Sequence, residues 1–173
     1  AWHQLIERAI AGMGFDWTHL HPTFFMDTVW AGFARRPDRL VHFVGDRRVS
    51  FVSSDDMAAV AAAALRDPST HSGKSYPLAV EALTFAELAA ILSAATGKAV
   101  EYHPRPASDL LAIMERQGAE MTYAGSLADG IMQIERGEMP QADAVFDTVE
   151  KVTGRPPVLW RDFATARLDQ LRS

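Results

Sequence analysis

The stretch "DWTHLHPTFFMDT", residues 16–28, decides how the first part of this chain folds. The run before Pro22 predicts a short buried strand, and the proline then ends it. The residues that follow, from Phe24 to Met26, are aromatic and sulfur-bearing. They predict either plain core packing or the wall of a binding site, and periodicity alone does not separate these two interpretations.

The composition is that of an ordinary folded protein and does not indicate disorder. Of the 173 residues 48% are apolar and 23% are charged, and the net charge is −5. This acidic balance argues against a nucleic-acid or anionic-membrane surface. The longest apolar run, "MAAVAAAAL" at 57–65, is too short to span a bilayer. The absence of cysteine excludes a disulfide scaffold, and with no signal-peptide layout we expect a cytoplasmic location.

The order of strands and helices predicts an α/β fold. Strands are indicated at "GKSYPLAV" and "KAVEYHP", and "PDRLVHFVGDRRVSFVS" at 37–53 is typical of a hairpin. Thr84 and Glu87 form a capping box for a helix that Gly97 ends. After residue 106 helices are expected near 107–117, 119–137, 141–153 and 160–171. We therefore predict the rear portion of a doubly wound parallel sheet over 1–105, followed by a mostly helical substrate-side subdomain over 106–173.

The first residues of the sequence suggest that it is part of a longer chain. "AWHQLIERAIAGMGF" carries an apolar stripe at helical spacing, but no capping residue precedes it. Only two or three strands are apolar enough to be central, which is few for a parallel sheet. We expect residue 1 to lie inside a longer chain.

Motifs that would carry chemistry are mostly absent. The glycines form neither G-x-G-x-x-G nor G-x-x-x-x-G-K-[ST], so no phosphate-binding turn is indicated. His19 and His21 share one face of a strand and could bind a metal with His3, His42 or Asp27 as a third ligand. The alternative is that these histidines pack at the rim of the core with backbone partners.

The succession of motifs resembles the NmrA-like branch of the atypical short-chain dehydrogenases. That branch shows a helix with a glutamate, "(Y/W)T-x-L-R-P-x-x-F-M", "V-x-x-x-D-(I/V)-A" and "L-T-x-x-E-(L/I)-A-x-x-L-s-x-x-x-G". The resemblance runs from residue 1 to about 105 and continues more weakly in "TGRPP" and the terminal helix. The matching positions are Trp17, Thr18, Leu20, Pro22, Phe25, Met26, Asp56, Met57, Ala58, Thr84, Glu87, Leu88, Ala89 and Gly97.

The resemblance implies roles for particular residues. His3 falls four residues before Glu7, where related enzymes often place the lysine of Y-x-x-x-K, so His3 is the candidate catalytic residue. The segment after the R-P strand lines the nicotinamide pocket in that family. This implies cofactor binding at Pro22, Thr23, Phe24 and Phe25. Asp56 is implied to be a helix cap.

The implied activity is NAD(P)H-dependent reduction of a small conjugated molecule, quinone-like or azo. NADPH is the expected cofactor, with NAD open, and binding by this chain alone is expected to be weak or absent because the phosphate turn is missing. Beside Phe24 and Phe25, we expect Met26, Trp30, Met121 and Tyr123 to form an apolar substrate wall.

Two other functions stay open. The replacement of the usual lysine by His3 favours a non-catalytic redox sensor that binds the dinucleotide and signals to a regulatory protein partner. The histidine pair at 19 and 21 would instead suit a metal-dependent hydrolase. A homodimer is also compatible with the sequence.

Overall fold

The computed structural model describes the backbone of residues 2–171 and the side chains of residues 3–171. The chain is a mixed α/β structure in which short strands alternate with helices, as the sequence predicted. The strands in this range are β1 (Thr18–Pro22), β2 (Phe24–Phe25), β3 (Arg39–His42), β4 (Val49–Val52), β5 (Lys74–Leu78), β6 (Glu81–Leu83) and β7 (Glu101–Pro104).

The helices occupy most of the remaining chain. They are α1 (Trp2–Gly12), α2 (Met26–Ala34), α3 (Ser54–Arg66), α4 (Pro68–His71), α5 (Phe85–Thr96), α6 (Ser108–Arg116), α7 (Met121–Arg136), α8 (Thr148–Thr153), α9 (Trp160–Ala166) and a 3₁₀ helix (Leu168–Leu171). The helix predicted at 141–153 is shorter than expected, because only its last residues form α8. Within the described range no helix has both the length and the apolar character that a bilayer span requires.

The strands pair mainly in parallel. β1 pairs with β5, β2 with β4, and β3 with β7, all in parallel, while β6 adds to β4 in the antiparallel direction. Parallel pairs need crossover connections, and here helices and loops supply them. The carboxyl ends of β1 and β5 meet where Pro22 faces Leu78, so the segment that follows Pro22 begins at that edge.

The hairpin predicted over residues 37–53 is wrong. A turn does form, since the amide of Arg47 donates to the carbonyl oxygen of Val44 at 3.2 Å. However, β3 pairs with β7, and β4 lies between β2 and β6. All four residues of β4 are buried. A strand buried in this way is stabilised by partners on both edges, and a hairpin would have supplied only one.

The capping signals were predicted correctly. Thr84 accepts the amide of Glu87 while the Glu87 carboxylate accepts the amide of Thr84, and Gly97 ends α5 at φ 68°. Ser53 caps α3 by accepting the amide of Asp56 at 3.1 Å. The cap is therefore Ser53 and not Asp56, which the resemblance had implied; Asp56 lies in the first turn of α3, where its amide is the group that Ser53 accepts.

The carboxyl-terminal helices are tied to the first part of the chain through buried groups. The fully buried carboxylate of Asp56 accepts the amide of Val158 at 2.9 Å, and Glu81 accepts the amide of Trp160 at 2.8 Å. Trp160 and Phe163 then complete one hydrophobic core together with side chains from α2, β4 and α5. The division after residue 105 stays a prediction.

Candidate active site

A cleft of about 920 Å³ opens beside the segment that follows Pro22. One wall comes from residues 22–25 and α2, the floor from β3, and the other wall from α6, α7 and the loop after α7. The lining residues are Pro22, Thr23, Phe24, Phe25, Thr28, Val29, Gly32, Phe33, Arg35, Arg36, Arg39, Leu40, Val41, His42, Phe43, Leu110, Tyr123, Leu127, Ile131, Ile134, Met139, Pro140, Gln141 and Ala142.

Strand ends hold the first wall in place. The amide and the hydroxyl of Thr23 both donate to the carbonyl oxygen of Leu78, each at 3.2 Å. Phe24 and Phe25 then pair in parallel with Phe51 and Val52. In open parallel sheets ligands bind beyond the carboxyl ends of the strands, which is where this wall stands.

The opposite wall is one face of α7. Tyr123, Leu127, Ile131 and Ile134 follow one another at helical spacing and all line the cleft. The loop after α7 is fixed by Ser50, whose amide donates to the carbonyl oxygen of Ala142 at 2.9 Å. This wall is therefore apolar along its length and attached to the sheet at its far end.

His42 is a polar group inserted among aromatic rings in the floor of the cleft. Its imidazole stacks on Phe85 with ring centroids 4.0 Å apart, and Phe24 contacts it edge-on at 5.6 Å. Nδ1 is enclosed and has no hydrogen-bond partner among the described residues. Burial lowers the pKa of His42 to about 4, because the charged imidazolium would lose its hydration. The ring is therefore neutral near pH 7.

Arginines mark the mouth of the cleft. Arg35 and Arg36 follow α2, and Arg39 begins β3, where it forms an ion pair with Asp38 at 2.7 Å. Of the described residues that line the cleft, these arginines are the ones that carry a full charge. No acidic side chain is among the described residues that line the cleft. The cleft is therefore apolar inside and positively charged at its rim.

The predicted site residues divide between the cleft and other places. Pro22, Thr23, Phe24, Phe25 and Tyr123 line the cleft together. The structure does not bring the others there. Met26 and Trp30 are buried in the hydrophobic core, where the indole N–H of Trp30 donates to Gln170 at 2.9 Å. Met121, at the start of α7, and His3, on α1, are exposed outside the cleft.

The histidines proposed as metal ligands have other contacts. The ring of His19 stacks on Trp17 with centroids 4.3 Å apart, and Nε2 of His21 lies within hydrogen-bonding distance of Oε1 of Glu7, at 2.9 Å. Between residues 3 and 171 no three His, Cys, Asp or Glu side chains lie close enough to hold one metal ion.

Sequence reasoning missed most of the α7 wall and His42 as part of the floor. The α7 stripe was visible as apolar residues at helical spacing from Tyr123 to Ile134. His42 carried a weaker signal, as a polar residue at the end of the apolar run of β3.

Comparison with known proteins identifies the family of this chain. Residues 4–155 match the NmrA-like family. The NAD(P)H azoreductase of Xenophilus azovorans is 35% identical over 167 residues, which cover 92% of this chain and 56% of that protein. The chain spans about half the length of the curated relatives it matches.

Solved structures share the fold. An NADPH-dependent quinone oxidoreductase from Escherichia coli, complexed with NADPH, superposes with a TM-score of 0.72 at 26% identity, covering 92% of this chain and 56% of that one. The triphenylmethane reductase of Citrobacter sp. superposes with a TM-score of 0.72 at 24% identity, covering 94% and 56%, a likeness of fold alone.

Proposed function

The chain belongs to the NmrA-like family, and on that premise we propose that it forms the substrate side of an NAD(P)H-dependent oxidoreductase. The substrate class that fits is a small conjugated molecule, quinone-like or azo. The observation that supports this is the cleft itself, which places an apolar, aromatic-lined space directly beyond the carboxyl ends of parallel strands. The relatives named for azo and quinone reduction support the same class.

The residues at the strand ends fit the nicotinamide end of a dinucleotide. Thr23 is fixed by two hydrogen bonds to Leu78, so the backbone from Pro22 to Phe25 is a rigid surface against which a flat ring can lie. When bound, a reduced nicotinamide supplies the hydride. The chain's own contribution is to orient the nicotinamide ring against the conjugated substrate and to exclude water between Phe25 and α7.

The sequence contains no comparable binding motif for the phosphate end of the cofactor. The chain has no glycine-rich phosphate-binding turn. We propose that residues 1–173 alone bind NADPH weakly or not at all. Titration of this chain with NADPH tests the point, and tight binding would contradict it.

The decisive experiment measures NADPH oxidation by the full-length gene product with menadione or methyl red as acceptor. We expect turnover, and we expect Phe25→Ala to lower kcat/KM about tenfold because it removes an aromatic face from the cleft wall. Phe15→Ala is the matched control, since Phe15 is 68% exposed and lies outside the cleft.

Two results would contradict the proposal. If no acceptor supported NADPH oxidation, the oxidoreductase assignment would fail, and cofactor binding without turnover would support a non-catalytic redox sensor. If Phe25→Ala and Phe15→Ala behaved alike, the cleft would not be the site.

A further inference from the structure

His42 is held in one orientation in the floor of the cleft. Phe85 stacks on one face at 4.0 Å with planes 11° apart, and Phe24 meets the ring edge-on at 5.6 Å. The backbone is fixed as well, since the carbonyl oxygen of His42 accepts the amide of Arg105 at 3.0 Å. A group restrained on all these sides is already oriented before a ligand arrives.

The two ring nitrogens of His42 differ in their surroundings, and this assigns the proton. Nδ1 is enclosed without a partner. A buried N–H without an acceptor is rarer and more costly than an unused lone pair, so the unprotonated nitrogen is Nδ1. Nε2 is not enclosed in this way and forms no hydrogen bond in the described part of the chain. The remaining nitrogen, Nε2, is therefore the one that carries the hydrogen, on a ring that lines the cleft.

Other polar side chains of the cleft are less suited to meet a ligand in its interior. The hydroxyl of Thr23 already donates to Leu78 at 3.2 Å. Tyr123 is 64% exposed, and Thr28 and Gln141 are also exposed to solvent. His42 combines burial in the cleft floor with a donor that no described residue uses.

We propose that the Nε2–H of His42 donates a hydrogen bond to the reducible heteroatom of the substrate, a quinone oxygen or an azo nitrogen. This assignment rests on the proposed function and adds to it the residue that recognises the acceptor. A carbonyl oxygen and an azo nitrogen are both hydrogen-bond acceptors without a proton to offer, so they match a donor in an apolar cleft. The assignment covers this hydrogen bond and attributes no proton transfer to His42.

The charge state of the ring suits this role. Burial lowers the pKa of His42 to about 4, so the imidazole remains an uncharged donor at neutral pH. A neutral donor in an apolar site polarises an acceptor without the desolvation cost of a buried cation.

The test uses the full-length gene product and two flat probes of similar shape. Menadione carries quinone oxygens, whereas 2-methylnaphthalene has the same fused rings and no heteroatom. Long-range ¹H–¹⁵N spectra of histidine-labelled protein report on both nitrogens of His42 during each titration. We expect menadione to shift the Nε2 resonance and 2-methylnaphthalene to leave it in place.

Variants give a second readout of the same hydrogen bond. His42→Phe keeps an aromatic ring against Phe85 and is expected to weaken menadione binding about three- to tenfold, with 2-methylnaphthalene binding unchanged. His42→Gln restores a donor and is expected to recover part of the affinity. His103→Phe is the control, because His103 lies on the neighbouring strand β7 outside the cleft.

The outcomes separate this inference from the function on which it rests. If both probes bind, the His42 nitrogens do not respond and His42→Phe binds menadione normally, the inference is wrong while the cleft remains a site for conjugated rings. If neither probe binds, the proposed function fails and this assignment fails with it.

Discussion

Acidification is expected to destabilise the fold through His42. Burial lowers the pKa of His42 from 6.5 to about 4. Above pH 6.5 the folded and unfolded chains both hold a neutral imidazole, so His42 adds no pH dependence there. Between 6.5 and about 4 the unfolded chain takes up the proton and the folded chain does not. The free energy of unfolding therefore falls as the pH falls through this window.

The magnitude follows from the width of that window. Each pH unit contributes about 1.4 kcal/mol, so the interval between 6.5 and about 4 corresponds to about 3 kcal/mol. This is an upper bound, because one edge of the ring faces the cleft and water there screens part of the effect. A loss of about 3 kcal/mol would be a large share of a typical domain's stability.

The assay is urea unfolding of the wild type and of His42→Phe across this pH range, followed by circular dichroism. Phenylalanine keeps the contact with Phe85 and takes up no proton. The other histidines and the carboxylates titrate in both proteins, so the difference in unfolding free energy isolates His42. We expect this difference to decline between pH 6.5 and about 4 and then to level off. A constant difference would show that His42 titrates normally and that the cleft floor is not dry.

Further predictions concern side chains that the structure places in the core, in the cleft and on the surface. Trp30→Ala should lower the free energy of unfolding by about 3 to 5 kcal/mol. Tyr123→Ala should leave the free energy of unfolding nearly unchanged and weaken menadione binding. A small loss of stability for Trp30→Ala with a large one for Tyr123→Ala would contradict their placement in the core and in the cleft. Asp56→Ala leaves the amide of Val158 without its acceptor and should cost about 2 kcal/mol in urea unfolding, and Asp56→Asn should cost less. Arg48→Ala opens an exposed ion pair and should change stability by about 0.5 kcal/mol.

Local signals in the sequence predicted local structure well. The capping box of Thr84 and Glu87 and the terminating Gly97 lie within one helix, so their chemistry was complete in the sequence. The hairpin failed for the opposite reason. The partner of β3 lies some sixty residues further along the chain, and no pattern within 37–53 specifies a pairing at that distance.

The same limit explains why Met26 and Trp30 of α2 were predicted to form a substrate wall although the structure places them in the core. Val29 and Phe33 line the cleft, whereas Met26 and Trp30 are buried in the core without lining it. These pairs are adjacent stripes of one helix, separated by the rotation of a single residue. Both stripes are apolar. Periodicity therefore shows that two sides of the helix are covered, but it does not show which side packs in the core and which side lines the cleft. That choice depends on α9, whose Phe163 packs against Trp30 from a distant part of the chain.

The two walls of the cleft are held by different forces, and this separates their roles. Backbone pairing and the bonds from Thr23 to Leu78 fix the strand-end wall, so its shape depends little on side-chain identity. The α7 wall is placed by side-chain packing, so a residue such as Leu127 can change there without disturbing the sheet. Under the proposed function, a constant surface for the cofactor ring would thus face a variable surface for the substrate. His42 lies in the floor between them, where a hydrogen bond to the acceptor atom would fix the substrate relative to both.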